Sequence, residues 1–417
     1  MKSFDRAIRG ATVFTPQGPV KTDIGVRDGR IAKVGSIAPE AAGDVINAAG
    51  LHVLPGVIDT QVHFRDPGLT HKEDLETGSR AAVAGGVTGV FEMPNTDPLT
   101  TTPETLAAKV ARARAVMHCD FAFYVGGTVE NAGHVASLER LEAAAGIKVF
   151  MGSSTGSLLV EDDAGVRAIL SNAKRRVAFH SEDEMRLRAR ADERVAGDPA
   201  SHPVWRDVET AVSSTSRLIR IARETGARIH LLHVSTADEL AFFEEARGFM
   251  TCEVTPQHLT LAAPEAYEAL GSFAQMNPPV REARHQAALW EAVRANRFHI
   301  LGSDHAPHTL EEKERPYPQS PSGMPGVQTL VPVMLDHVSA GRLTLAQFVA
   351  LTAHNLEPVF GTIGKGRIVE GYDADFTVVD LRVKRTITRD WVESRSGWSP
   401  FEGREVTGWP VGTIIRG

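Results

Sequence analysis

The feature that most constrains this chain is a rhythm through its middle: a short apolar segment, a polar or titratable residue at its end, then a helical stretch. Candidate strands end at His63, at Val90-Phe91-Glu92-Met93-Pro94-Asn95, at Phe121-Ala122-Phe123-Tyr124-Val125 and at Ile147-Lys148-Val149-Phe150-Met151. Four more are Val177-Ala178-Phe179-His180, Ile229-His230-Leu231-Leu232-His233, Met250-Thr251-Cys252-Glu253-Val254 and Ile300-Leu301-Gly302-Ser303-Asp304. Helical patterns at 72–85, 103–117, 206–225, 236–247 and 282–296 lie between them. Eight strands alternating with helices over about 250 residues predict an α/β fold, a (β/α)8 TIM barrel, with its active site at the carboxyl ends of the strands. Strands buried on both faces should read as unbroken Val, Ile and Leu. The polar residues that close these strands are therefore hard to assign to packing.

The two ends of the chain read differently. Before residue 53 there is no useful helical period; Ile24-Gly25-Val26 and Ile31-Ala32-Lys33-Val34 flank Asp28-Gly29, a strong hairpin signal. After the barrel, glycines punctuate Arg367-Ile368-Val369 and Phe376-Thr377-Val378-Val379. Chain ends often lie close together, so the expectation is one small β-sandwich domain built from both termini. The boundaries drawn are 1–54 and 363–417 for its two parts and 55–362 for the barrel.

A net charge of −7 argues against a nucleic-acid partner or an anionic membrane, either of which asks for a basic face. Two cysteines, Cys119 and Cys252, are too few for a disulfide framework and too far apart for a metal knuckle. The opening Met1-Lys2-Ser3-Phe4-Asp5-Arg6 has no apolar signal core, and no apolar run reaches membrane-spanning length. A cytoplasmic protein is expected.

Chemistry concentrates first in residues 55–68. Side chains two apart on a strand share a face, so Asp59, Gln61 and His63 are expected to point together, with Arg65 following and Asp66-Pro67-Gly68 making the turn. His63, Lys148, His180, His233 and Asp304 together form a candidate set for zinc or a similar divalent ion. Each has a plainer reading. His233, like His230 on the opposite strand parity, could be a satisfied core histidine, and His180 could pair with Glu182 or Asp183. Lys148, between apolar neighbours, is either salt-bridged inside the barrel or a desolvated amine with a depressed pKa. In the second case its neutral form can take up carbon dioxide to become a metal-bridging carbamate. Asp304 heads Asp304-His305-Ala306-Pro307-His308, placing a carboxylate where it can touch a metal and move a proton, with His308 facing a substrate. The segment Ser320 to Gly326 would let backbone amides approach a ligand, or is a plain loop. No Walker-type loop, Gly-x-Gly-x-x-Gly or nucleophile-elbow serine is present.

Together these residues resemble a known family. Asp59-x-Gln-x-His63-Phe-Arg65-x-Pro-Gly68, Lys72-Glu73-Asp74, Ala84-Gly85-Gly86-Val87-Thr88 and Met93-Pro94-Asn95-Thr96 are similar to the dihydroorotases of the amidohydrolase superfamily. So are Lys148-Val-Phe-Met, His180-Ser-Glu-Asp183, Leu232-His233-Val-Ser-Thr236, Met276-Asn277-Pro-Pro279, Asp304-His-Ala-Pro-His308 and Gly371-Tyr-Asp-Ala-Asp375, in that order. The resemblance implies reversible closure of N-carbamoyl-L-aspartate to L-dihydroorotate in pyrimidine biosynthesis, with Zn2+, one or two per chain. It implies that His63 binds the first metal, that Lys148 bridges as an N-carboxylated lysine, and that His180 and His233 hold the second metal. Asp304 would bind the first metal and act as general acid and base. Arg65, Asn95 and His308 would grip the substrate carboxylate, with Asn277 beside them. A homodimer is the corresponding oligomeric expectation.

Gln61 departs from the family's His-x-His. An amide oxygen is a weaker zinc ligand than imidazole, which leaves three readings: activity with the second metal alone, two metals with Gln61 as a weak or outer ligand, or a catalytically silent homologue serving as scaffold for aspartate transcarbamoylase. Another cyclic amidohydrolase, hydantoinase-like or allantoinase-like, is the remaining alternative.

Overall fold

A computed structural model describes residues 2–153 and 158–417. Among these residues fifteen strands fall into two sheets. The first takes β1 (Phe4–Thr15), β2 (Gly18–Arg27), β3 (Arg30–Val34), β4 (Ala42–Asn47) and β5 (His52–Pro55) from the start of the chain. The second takes β6 (Val57–Val62), β7 (Val87–Glu92), β8 (Asp120–Gly126), β9 (Ala144–Phe150), β10 (Val177–His180), β11 (Ile229–Leu231), β12 (Met250–Val254) and β13 (Ile300–Leu301). The last two, β14 (Phe376–Thr386) and β15 (Glu405–Ile414), return to the first sheet.

Strands β6 to β13 pair in parallel, each with its neighbour in sequence. The ring closes through a parallel bridge between Val62 and His305, in which His63 N–H donates to His305 O at 2.7 Å and His305 N–H to Gln61 O at 3.2 Å. This is the expected barrel, and all eight of its strands fall where the apolar segments predict. Its helices begin at sequence-legible stops. Asp74 caps Leu75–Ala84 in a capping box with Thr77, Thr102 caps Pro103–Val116, and Asp207 caps Val208–Thr225, which ends on left-handed Gly226. The stretch 236–247 is instead a 3-10 turn, Asp238–Ala241, running into the single helical turn Phe242–Glu245. A broad apolar shell between strands and helices (Val62, Ile147, Val149, Phe179, Leu218, Leu301) is fully buried. Phe360 closes the lower mouth against Phe91 and Tyr124.

The terminal segments form one mixed seven-stranded sheet. Its β2–β3 hairpin turns at Asp28 and Gly29, both at positive φ, as the Asp-Gly signal predicts. The join between ends is β5 with β14, Phe376 opposite Pro55 and Val379 opposite His52, antiparallel. Arg367-Ile368-Val369 is not a strand: Gly364 and Gly366 bend the chain at positive φ, and Ile368 drops into the sheet's core beside Phe376 and Val53. The long β14–β15 hairpin takes its place. Thr377 latches sheet to barrel, accepting from Val57 N–H at 3.0 Å and donating to Gly86 O at 2.6 Å. Lys365 does the same, pairing with Asp375 at 2.6 Å and with Asp120 of β8 at 2.5 Å, so the Gly371–Asp375 motif serves architecture here. Among the described residues no helix is long and apolar enough to cross a membrane.

Candidate active site

At the carboxyl ends of the barrel strands the structure brings together Gln61, His63, Arg65, Lys148, His180, His233, Asp304 and His308, all buried. Arg65, His233 and Asp304 have φ of 62°, 37° and 45°. Positive φ in non-glycine residues is strained by about 1–3 kcal/mol each and clusters where side chains must be aimed. Here it falls where three strands give way to loops.

The histidines stand in two pairs. His180 Nδ1 lies 3.1 Å from His233 Nε2, while the other nitrogen of His180 donates to Glu182 Oε2 at 2.9 Å. His63 places Nδ1 2.8 Å from Asn95 Oδ1 and Nε2 3.3 Å from Asp304 Oδ1. Burial pushes His63, His180 and His233 below the usual imidazole range, so they are neutral at pH 7. Burial would raise Asp304, but the hydrogen bond from His63 and the neighbouring His233 and His180 hold it well below the usual carboxylate range. The site thus offers neutral imidazoles and an ionised carboxylate, the states in which these groups ligate metals.

Lys148 is close enough to couple electrostatically to Asp304, His180 and His233. Among the described residues its Nζ has no hydrogen-bond partner, and it sits 4.4 Å from the centre of the Phe150 ring. Burial lowers it to about 7. The salt-bridged alternative is therefore not what the described residues form. Glu253, which the sequence reading passed over, lies below it in the barrel, raised by burial to about 8 and accepting from Thr60 Oγ1 at 2.9 Å. The signal was available, since a glutamate inside an apolar strand is as anomalous as a lysine there. His230 packs at this lower level, 2.8 Å from Thr251 Oγ1, apart from the candidate ligands.

Two expectations change. Asp59 does not join Gln61 and His63: its Oδ1 accepts from Gln61 N–H at 3.1 Å and Ser303 N–H at 2.9 Å. The β6–β7 register shifts between Asp59 and Val62, and that breaks the simple alternation. The Ser320–Gly326 segment, in turn, folds onto the Asp304–His308 loop, with Gly326 N–H donating to His305 Nδ1 at 3.0 Å. A Cβ on Gly323 would fall 2.4 Å from Ala306 O, so glycine is required by that close approach.

Next to these groups Arg65 donates from Nε to Pro307 O at 3.3 Å and places Nη2 3.5 Å from His308 Nε2, while Nη1 is buried without a partner among the described residues. Burial lowers Arg65 to about 10, so it stays charged at neutral pH. Lys72, a side chain the sequence reading did not single out alone, reaches His308 Nδ1 at 3.1 Å and Glu312 at 3.1 Å. Burial holds His308 down at about 3. Asn277 Oδ1 accepts from His202 Nε2 at 3.0 Å. Gln61 donates from Nε2 to Asp304 Oδ1 at 3.0 Å and leaves Oε1 buried without a partner.

Among the described residues no three His, Cys, Asp or Glu side chains are placed to hold a metal by themselves. The donor chemistry nevertheless fits one once Lys148 is counted. Two pairs of facing donors, an orphaned amine electrostatically coupled to members of both and an orphaned amide oxygen form a set that a divalent cation would satisfy.

A barrel with these residues at its strand ends is that of a hydrolase of cyclic amides, and the chain belongs to the amidohydrolase family, whose pattern it matches over residues 52–417. Among its relatives, a dihydroorotase of Methanosarcina acetivorans is 34% identical, over 99% of this chain and 91% of its own. An allantoinase of Rubrobacter xylanophilus is 36% identical, over 100% and 94%. In structure the chain is similar to the L-hydantoinase (dihydropyrimidinase) of Arthrobacter aurescens, with a TM-score of 0.95, 30% identity, and coverage of 99% of this chain and 95% of that one.

Proposed function

We propose that this protein is a dihydroorotase, catalysing the reversible closure of N-carbamoyl-L-aspartate to L-dihydroorotate. The observation that carries the reading is the buried Arg65, charged, with Nη1 unpartnered beside His308 and close to the proposed proton-transfer group Asp304. A guanidinium desolvated in this way asks for an anionic ligand, and its fork suits a carboxylate. Dihydroorotate carries a carboxylate on its ring, one methylene away from the scissile carbonyl; hydantoin, dihydrouracil and allantoin carry none.

Zinc is the proposed metal, held by His180, His233 and a carboxylated Lys148, with a second, weaker position at His63, Asp304 and Gln61. When bound, it supplies an activated water at neutral pH and polarises the amide carbonyl. Asp304, ionised, accepts a proton during attack and returns it to the leaving ring nitrogen; closure runs the same transfer backwards. Arg65, Asn95 and His308 orient the substrate through its carboxylate, with Asn277 completing the substrate-binding set. The barrel of 55–362 is proposed as the catalytic unit, carried on the terminal segments 1–54 and 363–417.

The experiment is hydrolysis of dihydroorotate against hydantoin, dihydrouracil and allantoin, with metal content determined on the same sample. Turnover confined to dihydroorotate is expected. Preference for a ring without a carboxylate refutes the assignment. No turnover after zinc and bicarbonate, with co-purification of aspartate transcarbamoylase, would make the chain a scaffold.

A further inference from the structure

Beside His180 lies a buried ion pair to which the proposed reaction assigns no step. Arg206 Nε lies 3.1 and 3.2 Å from the two oxygens of Glu182, and its Nη2 lies 2.8 Å from Oε2. Glu182 and Arg206 are 0% and 2% exposed. Arg206 is itself pinned. Its Nη2 donates to Ser153 O, its carbonyl accepts from Arg281 Nη1, and its guanidinium sits 5.0 Å from the centre of the Trp205 ring. Glu182 Oε2 is the atom that accepts from His180 Nε2.

The arrangement decides a tautomer. A carboxylate held ionised by a guanidinium fork can only accept, so the imidazole nitrogen facing it carries the proton. His180 Nδ1 is then a lone pair, and it is Nδ1 that faces His233 Nε2. Buried ion pairs are weak evidence of stability, since apolar replacements of equal volume are often neutral or better. This one is aimed at the ring nitrogen opposite the proposed donor, where an outer carboxylate orients a ligating histidine and raises its basicity.

We infer that Glu182 and Arg206 are positioning residues: they lock His180 in its Nε2-protonated form and so present Nδ1, with His233 and Lys148, to a divalent cation. The inference rests on the metal-dependent reading above and is independent of which ring the enzyme opens.

The test uses the full chain and zinc alone. Zinc affinity is measured by chelator competition without substrate, and the protonated nitrogen of His180 is identified in zinc-free protein by 15N NMR. Glu182→Gln alone leaves a buried guanidinium without its counter-charge and endangers folding, so the double variant Glu182→Gln with Arg206→Gln, which removes both charges, is measured beside it. Zinc affinity about 10- to 100-fold weaker is expected in both, with the wild type Nε2-protonated and the variants no longer held in that single form. A folded double variant that binds zinc like the wild type overturns the inference, as does a wild type protonated at Nδ1. Zinc binding without dihydroorotate turnover would refute the proposed substrate and leave the positioning role intact. A wild type that binds no zinc would remove both.

Discussion

Replacing Arg65 by methionine separates binding from stability in a way few other substitutions here can. The side chain is 1% exposed, and burial draws its pKa from 12.5 to about 10. At pH 7 it remains almost wholly charged, so the folded state carries a net penalty for burying that charge. For a base whose folded pKa lies below its unfolded one, the penalty is present in full wherever both forms are protonated. It amounts here to about 3 kcal/mol. Methionine removes it and loses the long hydrogen bond to Pro307 O, worth about 1 kcal/mol. Arg65→Met should therefore be no less stable than the wild type, and by up to about 2 kcal/mol more so. Binding should move the other way. Loss of a charge-assisted contact of about 1.5–3 kcal/mol raises KM for dihydroorotate roughly 10- to 150-fold. Urea unfolding and steady-state hydrolysis on the same preparation read both quantities. An unchanged KM would remove Arg65 from the substrate's carboxylate, and a variant several kcal/mol less stable would show that the guanidinium is compensated within the fold.

Asp304→Ala should abolish turnover while most zinc stays bound, checked by activity and metal content together; substantial residual turnover would reassign the proton transfer. Gln61→His restores an imidazole at the weaker position and should raise zinc toward two per chain, read by elemental analysis after dialysis against limiting zinc. A stoichiometry unmoved by the change would place Gln61 outside the coordination sphere. Lys313 is buried and lowered by burial to about 7, and its Nζ donates to Pro321 O at 2.8 Å. Between pH 7 and 10.5 the unfolded chain binds more protons at this group than the folded one, so its contribution to stability climbs with pH through that window. Lys313→Met should flatten the climb and stabilise the protein at pH 6, measured as the difference in unfolding free energy between the two chains at pH 6 and pH 10.

Much of this was legible before any coordinates, because one anomaly recurs. A polar residue within or at the end of an apolar strand has no packing explanation, and Lys148, His180, His233 and Asp304 each announce themselves that way. The plain reading of His180, that it pairs with Glu182, is also what the structure shows, and it is compatible with the proposed ligand role. What the pattern could not reveal is Arg206. The periodic stretch appeared to start at that residue, but Asp207 takes the cap and leaves Arg206 outside the helix, free to reach a carboxylate 24 positions back. Asp59 was misplaced because a register shift within a strand leaves no mark on composition. The terminal sheet was foreseen from its hairpin and glycines. Its true C-terminal pair was harder to see, since β14 and β15 are separated by an irregular segment and recognise each other only by pairing.

The seam between β5 and β14 also has a meaning in time. Phe376 stands opposite Pro55, so a strand made early on the ribosome waits for a partner 321 residues later. At about 5–20 residues per second, that is roughly 15–65 seconds in which the β5 edge has no partner. An open edge of this kind is a template for pairing with other chains. Val53 and Leu54, at the centre of that edge, are fully buried once the partner arrives. Nascent chains of this protein are therefore most exposed to aggregation while the barrel is already assembling, and yield in the cell should respond to translation speed and chaperone supply more than to the finished enzyme's stability.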